Sequence, residues 1–263
     1  MHMKSVERQR FLLTKASKFN FVSIPDSARE LKVSVETIRR DINILCSQKK
    51  LKKVHGGAVP IHAAIKKDPA YQQRFQLNPK GREAVAAAAA RLIKNGDVVT
   101  MDGGATTLLL AKHITGVENV TFVVDSLYIA TTLADKLSSG EITGKLIFLG
   151  GTVELDTHTV CDSYALRNLE PFRFDIAFVS ASSVSAWGVA NSSLSGIFVR
   201  KLMDHSSVSI LVTDSDKLGG TSTYRFALPT DFDQIFVDDR LPIPQDLLDA
   251  LEGTDTKLTV IPI

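Results

Sequence analysis

Two cysteines in 263 residues, Cys46 and Cys161, are too few and too isolated to frame a disulfide scaffold or a zinc site. A reducing compartment fits them. No stretch approaches the ~20 consecutive apolar residues that a membrane span requires. The first fifteen residues are charged rather than apolar, so no secretory leader is read there. The alanine run Ala86–Ala90 is short, ends at Arg91, and predicts a closely packed helix instead. Internal repeats and low-complexity segments are also lacking. These absences exclude secreted, membrane-spanning and fibrous classes, and leave a cytoplasmic globular protein as the expectation. Nothing in the pattern suggests a metal, a cofactor or a catalytic group.

A strong overall charge is lacking too, since the net charge is only +2. It is unevenly placed, however. Residues 1–60 hold 13 Lys+Arg against 5 Asp+Glu, whereas the rest of the chain holds 18 against 24. A basic head on an acidic body implies that only the head meets nucleic acid. The length allows two domains. The expected division is a DNA-binding head over 1–60, a linker over 61–79 containing Pro69 and Pro79, and a body over 80–263.

The head is organised around residues 33–59, V-S-V-E-T-I-R-R-D-I-N-I-L-C-S-Q-K-K-L-K-K-V-H-G-G-A-V. Ser34 is a good N-cap, and Glu36 lies in the first turn, where the helix dipole favours a carboxylate. Val35, Ile38, Ile42 and Leu45 recur at helical spacing and predict one buried face. Thr37, Arg39 and Arg40 then point outward near the amino end, the end a recognition helix pushes into the major groove. Arginine forks onto guanine or phosphate, and a short hydroxyl suits phosphate or base edges. Taken alone, R-R is a solvated helix face. Its neighbours change that reading. Leu51–Gly57 alternates apolar with basic residues and ends on glycine, as a wing touching phosphates would. A short helix over about 26–31 precedes Ser34 by a tight turn. A first helix over about 6–17 brings Phe11, Leu12 and Leu13 to a small core, and Cys46 reads as a core residue.

The runs S-V-E-T-I-R-R-D and L-K-K-V-H-G-G-A, in this order and at this separation, closely resemble the DeoR family of bacterial transcriptional regulators. The resemblance implies a winged helix-turn-helix that binds double-stranded operator DNA. The residues expected at DNA are Ser34, Thr37, Arg39, Arg40, Lys53, His55 and Gly56.

Past residue 80 the pattern alternates helices with short apolar strands, near residues 98–101, 120–124, 146–149, 176–179, 210–213, 234–237 and 258–261. Continuous apolar strands separated by helices indicate a mostly parallel sheet covered on both faces. Ligands of such sheets sit beyond the carboxyl ends of the strands. Those ends carry Asp102-Gly103-Gly104-Ala105-Thr106-Thr107, Asp125-Ser126, Gly150-Gly151, Ser180-Ala181-Ser182 and Asp214-Ser215-Asp216-Lys217. Glycines let backbone N–H groups close on an anion, a following helix start adds positive potential, and threonines add donors. The residues expected at a small polar effector are Asp102, Gly103, Gly104, Ala105, Thr106, Thr107, Asp125, Ser126, Gly150, Gly151, Ser180 and Lys217.

D-G-G-A-T-T, V-D-S, G-G, D-I-A-F and D-S-D-K-L-G also resemble the sensor domain of the same family, over nearly the whole body. That domain is itself similar to pentose-phosphate isomerases. The resemblance implies an α/β architecture with a Rossmann-like, mostly parallel effector domain. It also implies a phosphorylated sugar or related metabolite as effector, with Gly103–Thr107 on the phosphate and Lys217 facing the ligand. Asp125 departs from the pattern, which usually has asparagine there. Asp162, Ser195-Gly196 and Trp187 are further departures, and Trp187 reads as a packing residue at a lid.

Two functions from different classes fit. One is a metabolite-controlled repressor of a carbohydrate or related catabolic operon, acting as a homodimer or homotetramer. The other is a sugar-phosphate isomerase carrying an accessory DNA-binding domain. An isomerase needs a general base beside the substrate carbon. The similar enzymes carry acidic residues after a mid-sheet strand, where this chain reads S-A-S-S-V-S, residues 180–185, without a carboxylate. This favours binding without turnover.

Overall fold

The computed structural model describes residues 4–19, 22–54, 56–60, 77–193 and 195–263. His55 and most of the expected linker, with its Tyr71 and Phe75, lie outside the described residues.

The head is built from α1 (Ser5–Phe19), α2 (Ile24–Glu30) and α3 (Val35–Ser47), with strands β1 (Val22–Ser23), β2 (Leu51–Val54) and β3 (Gly57–Pro60). Both later helices start on a serine cap. Ser23 Oγ accepts from the Asp26 N–H at 3.3 Å and Ser34 Oγ from the Thr37 N–H at 3.2 Å, satisfying donors that a helix start leaves open. β2 and β3 form the antiparallel wing, and β1 joins it across β3. Leu12, Ile38, Ile42, Leu45 and Leu51 close the small core, with Phe11, Leu13 and Cys46 packed against it. Val35 departs from expectation. It is 41% exposed, because the first turn of α3 extends past the edge of this core.

Asp41, buried on α3, fastens α3 to α1. Its carboxylate accepts from Arg8 Nε at 2.7 Å, Ser5 Oγ at 2.8 Å and Gln9 Nε2 at 3.2 Å. Burial alone would raise this carboxyl, but the three donors and the Arg8 charge reverse that and hold it below the ordinary value.

The body is a seven-stranded sheet, parallel at every pairing, in the order β15-β14-β12-β9-β4-β5-β6. Its strands are β4 (Val98–Met101), β5 (Val120–Val124), β6 (Gly144–Phe148), β9 (Phe174–Val179), β12 (Ser206–Val212), β14 (Gln234–Asp238) and β15 (Lys257–Ile261). Their side chains alternate with period two. Met101, Phe122, Phe178, Val212 and Phe236 face one core, which α4 (Pro79–Ala90), α5 (Ala105–His113) and α6 (Leu127–Ser139) cover. Val179, Leu211, Ile235 and Val237 face the other, under α8 (Ser195–Asp204) and α9 (Gln245–Leu251). Val123 lies on that second face under α7 (Ser163–Leu169) and α8, and Phe174, at the start of β9, joins the same cluster. Ala86, Ala89 and Ala90 of α4 are buried, the close packing expected of the alanine run.

From β4 the chain steps outward to β5 and β6, then returns to the other side of β4 as β9 and continues to β12, β14 and β15. The order therefore reverses between β4 and β9, where such sheets open a crevice. The sequence pattern did not anticipate two antiparallel additions. They are the short pair β7 (Val153–Glu154) with β8 (Thr159–Val160), and a small sheet of β10 (Ser183–Ser185), β11 (Gly188–Asn191) and β13 (Tyr224–Ala227).

Asp41→Ala leaves Arg8 without its buried partner and should cost about 3 kcal/mol of head stability, read by denaturant unfolding. A carboxyl held low in the fold contributes stability above its ordinary pKa and loses it as pH falls through the lowered value. The wild-type advantage over Asp41→Ala should thus shrink only on acidification below the ordinary carboxylate range. A cost under about 0.5 kcal/mol at neutral pH would show that Asp41 does not fasten the helices.

Candidate functional site

In the head, α3 presents Arg39 and Arg40 to solvent, and Thr37 is half-buried beside them. Arg39 pairs loosely with Glu36 at 3.5 Å, and Thr37 Oγ1 shares a hydrogen bond with the capping Ser34 Oγ at 2.8 Å. Lys53 on the wing is exposed and reaches Asn43 of α3 at 3.4 Å. Gly56 is exposed at the wing turn, with φ of +73°. The amino end of a helix and a wing lysine thus share one solvent-facing side.

In the body, a cavity of about 80 Å³ opens at the reversal between β4 and β9. By that measure it holds on the order of six water-sized positions. Asp102 follows β4 and Ser180 follows β9, and the Ser180 hydroxyl donates to Asp102 Oδ2 at 2.8 Å across the two strand ends. A Cβ on Gly104 would stand 2.0 Å from Ser180 Oγ, and one on Gly103 the same distance from Thr159 Cγ2. Only glycine lets this loop lie against its neighbours.

The loop ends one turn earlier than expected, and Ala105, Thr106 and Thr107 are the first turn of α5. The Leu108 N–H takes the Gly104 carbonyl at 3.0 Å, so the N–H groups of 105–107 precede the ladder and leave positive potential at the cavity.

Of the residues expected at an effector, Asp102, Gly103, Gly104, Ala105, Thr106, Asp125, Ser180 and Lys217 line this cavity. Thr107, Ser126, Gly150 and Gly151 are not in its wall. Thr107 is buried and its Oγ1 turns back onto the carbonyls of Asp102 (2.7 Å) and Gly104 (2.9 Å). Ser126 is buried as the N-cap of α6. Gly151 packs on the Asp162 carboxylate, which caps α7 through the Tyr164 and Ala165 N–H groups and accepts from the Thr152 N–H. Trp187 is half-exposed at the β10–β11 turn, under the Arg225 guanidinium at 5.0 Å, and is also outside the wall.

The sequence reading missed Arg82, Thr159, Asn191 and Ser195 of the wall. Arg82 matters most. Buried in α4, its Nε donates to Asp214 Oδ2 at 2.8 Å. Burial pushes the Asp214 carboxyl up, and the Arg82 and Lys217 charges oppose it. Next to this pair, Asp238 at the end of β14 accepts from the Ser215 N–H and hydroxyl, both at 2.8 Å, and from the Arg240 N–H at 3.1 Å. It also accepts from Asn78 Nδ2 at 2.9 Å. Asn78 caps α4 in the left-handed region. The loop carrying Lys217 is therefore bonded to the first residues of the body after the linker.

The matches to known proteins follow the same division. The model described as DeoR-like helix-turn-helix domain covers residues 8–64, and that of the DeoR C terminal sensor domain covers 77–239. This chain belongs to the DeoR family of transcriptional regulators. It is 32% identical over 242 residues to the HTH-type transcriptional regulator YgbI of Escherichia coli, spanning 91% of this chain and 92% of that one. It is 28% identical to the HTH-type transcriptional repressor GlcR of Bacillus subtilis, spanning 98% and 97%. It is 25% identical to the glycerol-3-phosphate regulon repressor of Haemophilus influenzae, spanning 98% of each. A DeoR-family regulator has a DNA-binding head and a sensor body, and the described residues contain no helix long and apolar enough to cross a membrane.

Gly104→Ala should destabilise the body by about 1–3 kcal/mol through overpacking, seen in thermal unfolding. Adding Ser180→Gly removes the side chain it would strike and should restore part of the loss. No rescue would mean that the clash lies elsewhere.

Proposed function

We propose that this DeoR-family regulator represses a carbohydrate or related catabolic operon, and that a small phosphorylated metabolite bound at the β4–β9 crevice alters its hold on operator DNA. The observation that carries the effector half is a buried cavity with an open helix start, Thr106, Arg82 and Lys217 around it. Such a wall suits an anion that also bears neutral polar groups. The names of two relatives, a transcriptional repressor and a glycerol-3-phosphate regulon repressor, support repression and a phosphorylated signal. Ser34, Thr37, Arg39, Arg40, Lys53, His55 and Gly56 are the proposed DNA contacts. The protein acts as a homo-oligomer, so that paired heads read repeated half-sites. The absence of a carboxylate from residues 180–185 supports binding without turnover.

The path between the two functions runs through the bonded strand ends. An anion drawn to Lys217 competes with Asp214, and the Ser215–Asp238–Asn78 bonds carry a shift of that loop to the start of α4. A ligand changes DNA affinity only if it favours one arrangement over another.

Gel shifts on the DNA upstream of the protein's own coding region test the head. Arg40→Ala should weaken specific binding about tenfold or more, and Lys53→Ala should weaken binding to all sequences and lower the salt dependence. An Arg40→Ala affinity within about twofold of wild type would remove α3 from the groove. Thr106→Ala and Lys217→Ala should bind operator normally yet ignore a sugar phosphate that shifts the wild type. A normal response in both would place the effector elsewhere.

A further inference from the structure

Asp102 and Asp125 stand side by side at the floor of the cavity. Their strands β4 and β5 pair in parallel with Met101 opposite Val124. The next residue on each strand end is therefore an aspartate, with the two backbones roughly 5 Å apart. Both side chains are buried, both line the cavity, and Oδ1 of each has no hydrogen-bond partner among the described residues. The two are not equivalent. Asp102 accepts the Ser180 hydroxyl on Oδ2, whereas no side-chain donor among the described residues reaches Asp125. Two carboxylates buried side by side repel, so once one is ionised the other holds its proton to a raised pH.

We propose that Asp102 and Asp125 share a single proton, carried by Asp125, and that together they select a hydroxyl group of the effector. This rests on the proposed effector site and names what its floor reads. An ionised Asp102 can only accept a hydrogen bond, and a neutral Asp125 can donate one. The group that answers both is one that donates and accepts at once. A hydroxyl does so, whereas an ammonium only donates and a phosphate dianion only accepts. The phosphate is thereby turned away from the floor toward Lys217 and the start of α5, and the sugar end is turned inward. The proton also removes the repulsion that a charged aspartate would exert where the family pattern has asparagine. A neutral carboxyl, like a side-chain amide, presents a donor on one arm and an acceptor on the other.

The remaining charged and titratable neighbours act in the same direction or are already engaged. Burial raises both carboxyls, and the Asp102 charge raises Asp125 further. Arg82 is bonded to Asp214, and Lys217 lies beside that carboxylate. Cys161, behind Asp125, is pushed up by burial and by Asp125, so it stays a neutral thiol. His158, from the β7–β8 turn, packs against Tyr128 with ring centroids 4.6 Å apart and the planes tilted by 42°. As pH rises through the elevated Asp125 value, the donor is lost and a second negative charge appears. Hydroxyl recognition then fails.

The test uses the full chain and two readouts. Infrared spectra of protein labelled with ¹³C-aspartate should show a protonated carboxyl band at neutral pH that is missing in Asp125→Asn and present in Asp162→Asn. Calorimetric titration with ribose 5-phosphate, fructose 6-phosphate, glycerol 3-phosphate and inorganic phosphate then follows, across pH 6 to 9. The tightest sugar phosphate should weaken in the wild type by about tenfold per pH unit beyond the Asp125 pKa. In Asp125→Asn it should bind with only the phosphate's own pH dependence, and inorganic phosphate should follow that shallower profile in both proteins. Absence of the band, or equal pH profiles for the two proteins, overturns the proposal. The band without binding by any of the sugar phosphates overturns hydroxyl selection and the effector reading while leaving the shared proton, so the failures are distinguishable.

Discussion

Two neighbouring parallel strands whose connections leave in opposite directions cannot have the gap between their ends covered by either connection. In this chain those strands are β4 and β9, and the opening between them decides what the body can do. Everything nearby conforms to that gap. Gly103 and Gly104 admit the loop after β4 against Thr159 and Ser180, and Ser180 closes on Asp102 across the strand ends. α5 starts at once, so its unladdered N–H groups face the opening rather than bulk solvent. A side chain on either glycine would push the loop off Thr159 or Ser180 and close the space.

The cost of such a crevice is buried charge. Arg82 and Asp214 are both nearly inaccessible and bonded at 2.8 Å. A buried ion pair of this kind adds little net stability against an apolar pair of the same shape, although breaking it costs several kcal/mol. Its value is positional. It forces α4, the first helix after the linker, to keep one register against the end of β12. Asp238 does the same from β14, and it collects Asn78 and Ser215 on one carboxylate. A ligand charge placed near Lys217 enters this arrangement electrostatically before any side chain moves. Regulation then requires only that the loop 214–217 have two bonded arrangements of similar free energy.

The alternation of helices and apolar strands, the serine caps of α2 and α3, and the glycine-rich strand end after β4 were legible because each is a local signal with a local cause. Period two in the strands puts Phe122 and Val123 on opposite faces, and this is readable from residue type alone. Arg82 was not legible, since an arginine beside an alanine run reads as solvent-facing, and its partner lies 132 residues away. Asp238 ends an apolar strand in the same way as a capping or turn residue would. Thr107, Ser126, Gly150 and Gly151 show the converse, since they were expected at an effector and lie outside this wall. They have the chemistry of ligand groups, yet the fold uses them for its own turns and caps. Serine and threonine hydroxyls serve backbone and ligand equally well, and only the three-dimensional arrangement distinguishes Thr106, in the wall, from Thr107, behind it. The small antiparallel sheet was not legible because its strands are only three or four residues long. Val35 shows the limit of periodicity, which fixes a direction on the helix but not how far the core extends beneath it.

The head and the body meet the same physical demand in opposite ways. Asp41 of the head is buried but surrounded by donors, so it is held ionised and its charge organises α1 against α3. Asp125 of the body is buried beside another carboxylate and lacks a side-chain donor. A buried carboxyl with donors is a structural fastener, and its environment is complete. A buried carboxyl without them lines the cavity with hydrogen-bonding capacity that no described residue uses. If the effector is read at this floor, as proposed, that unused capacity is what makes occupancy energetically distinct from vacancy.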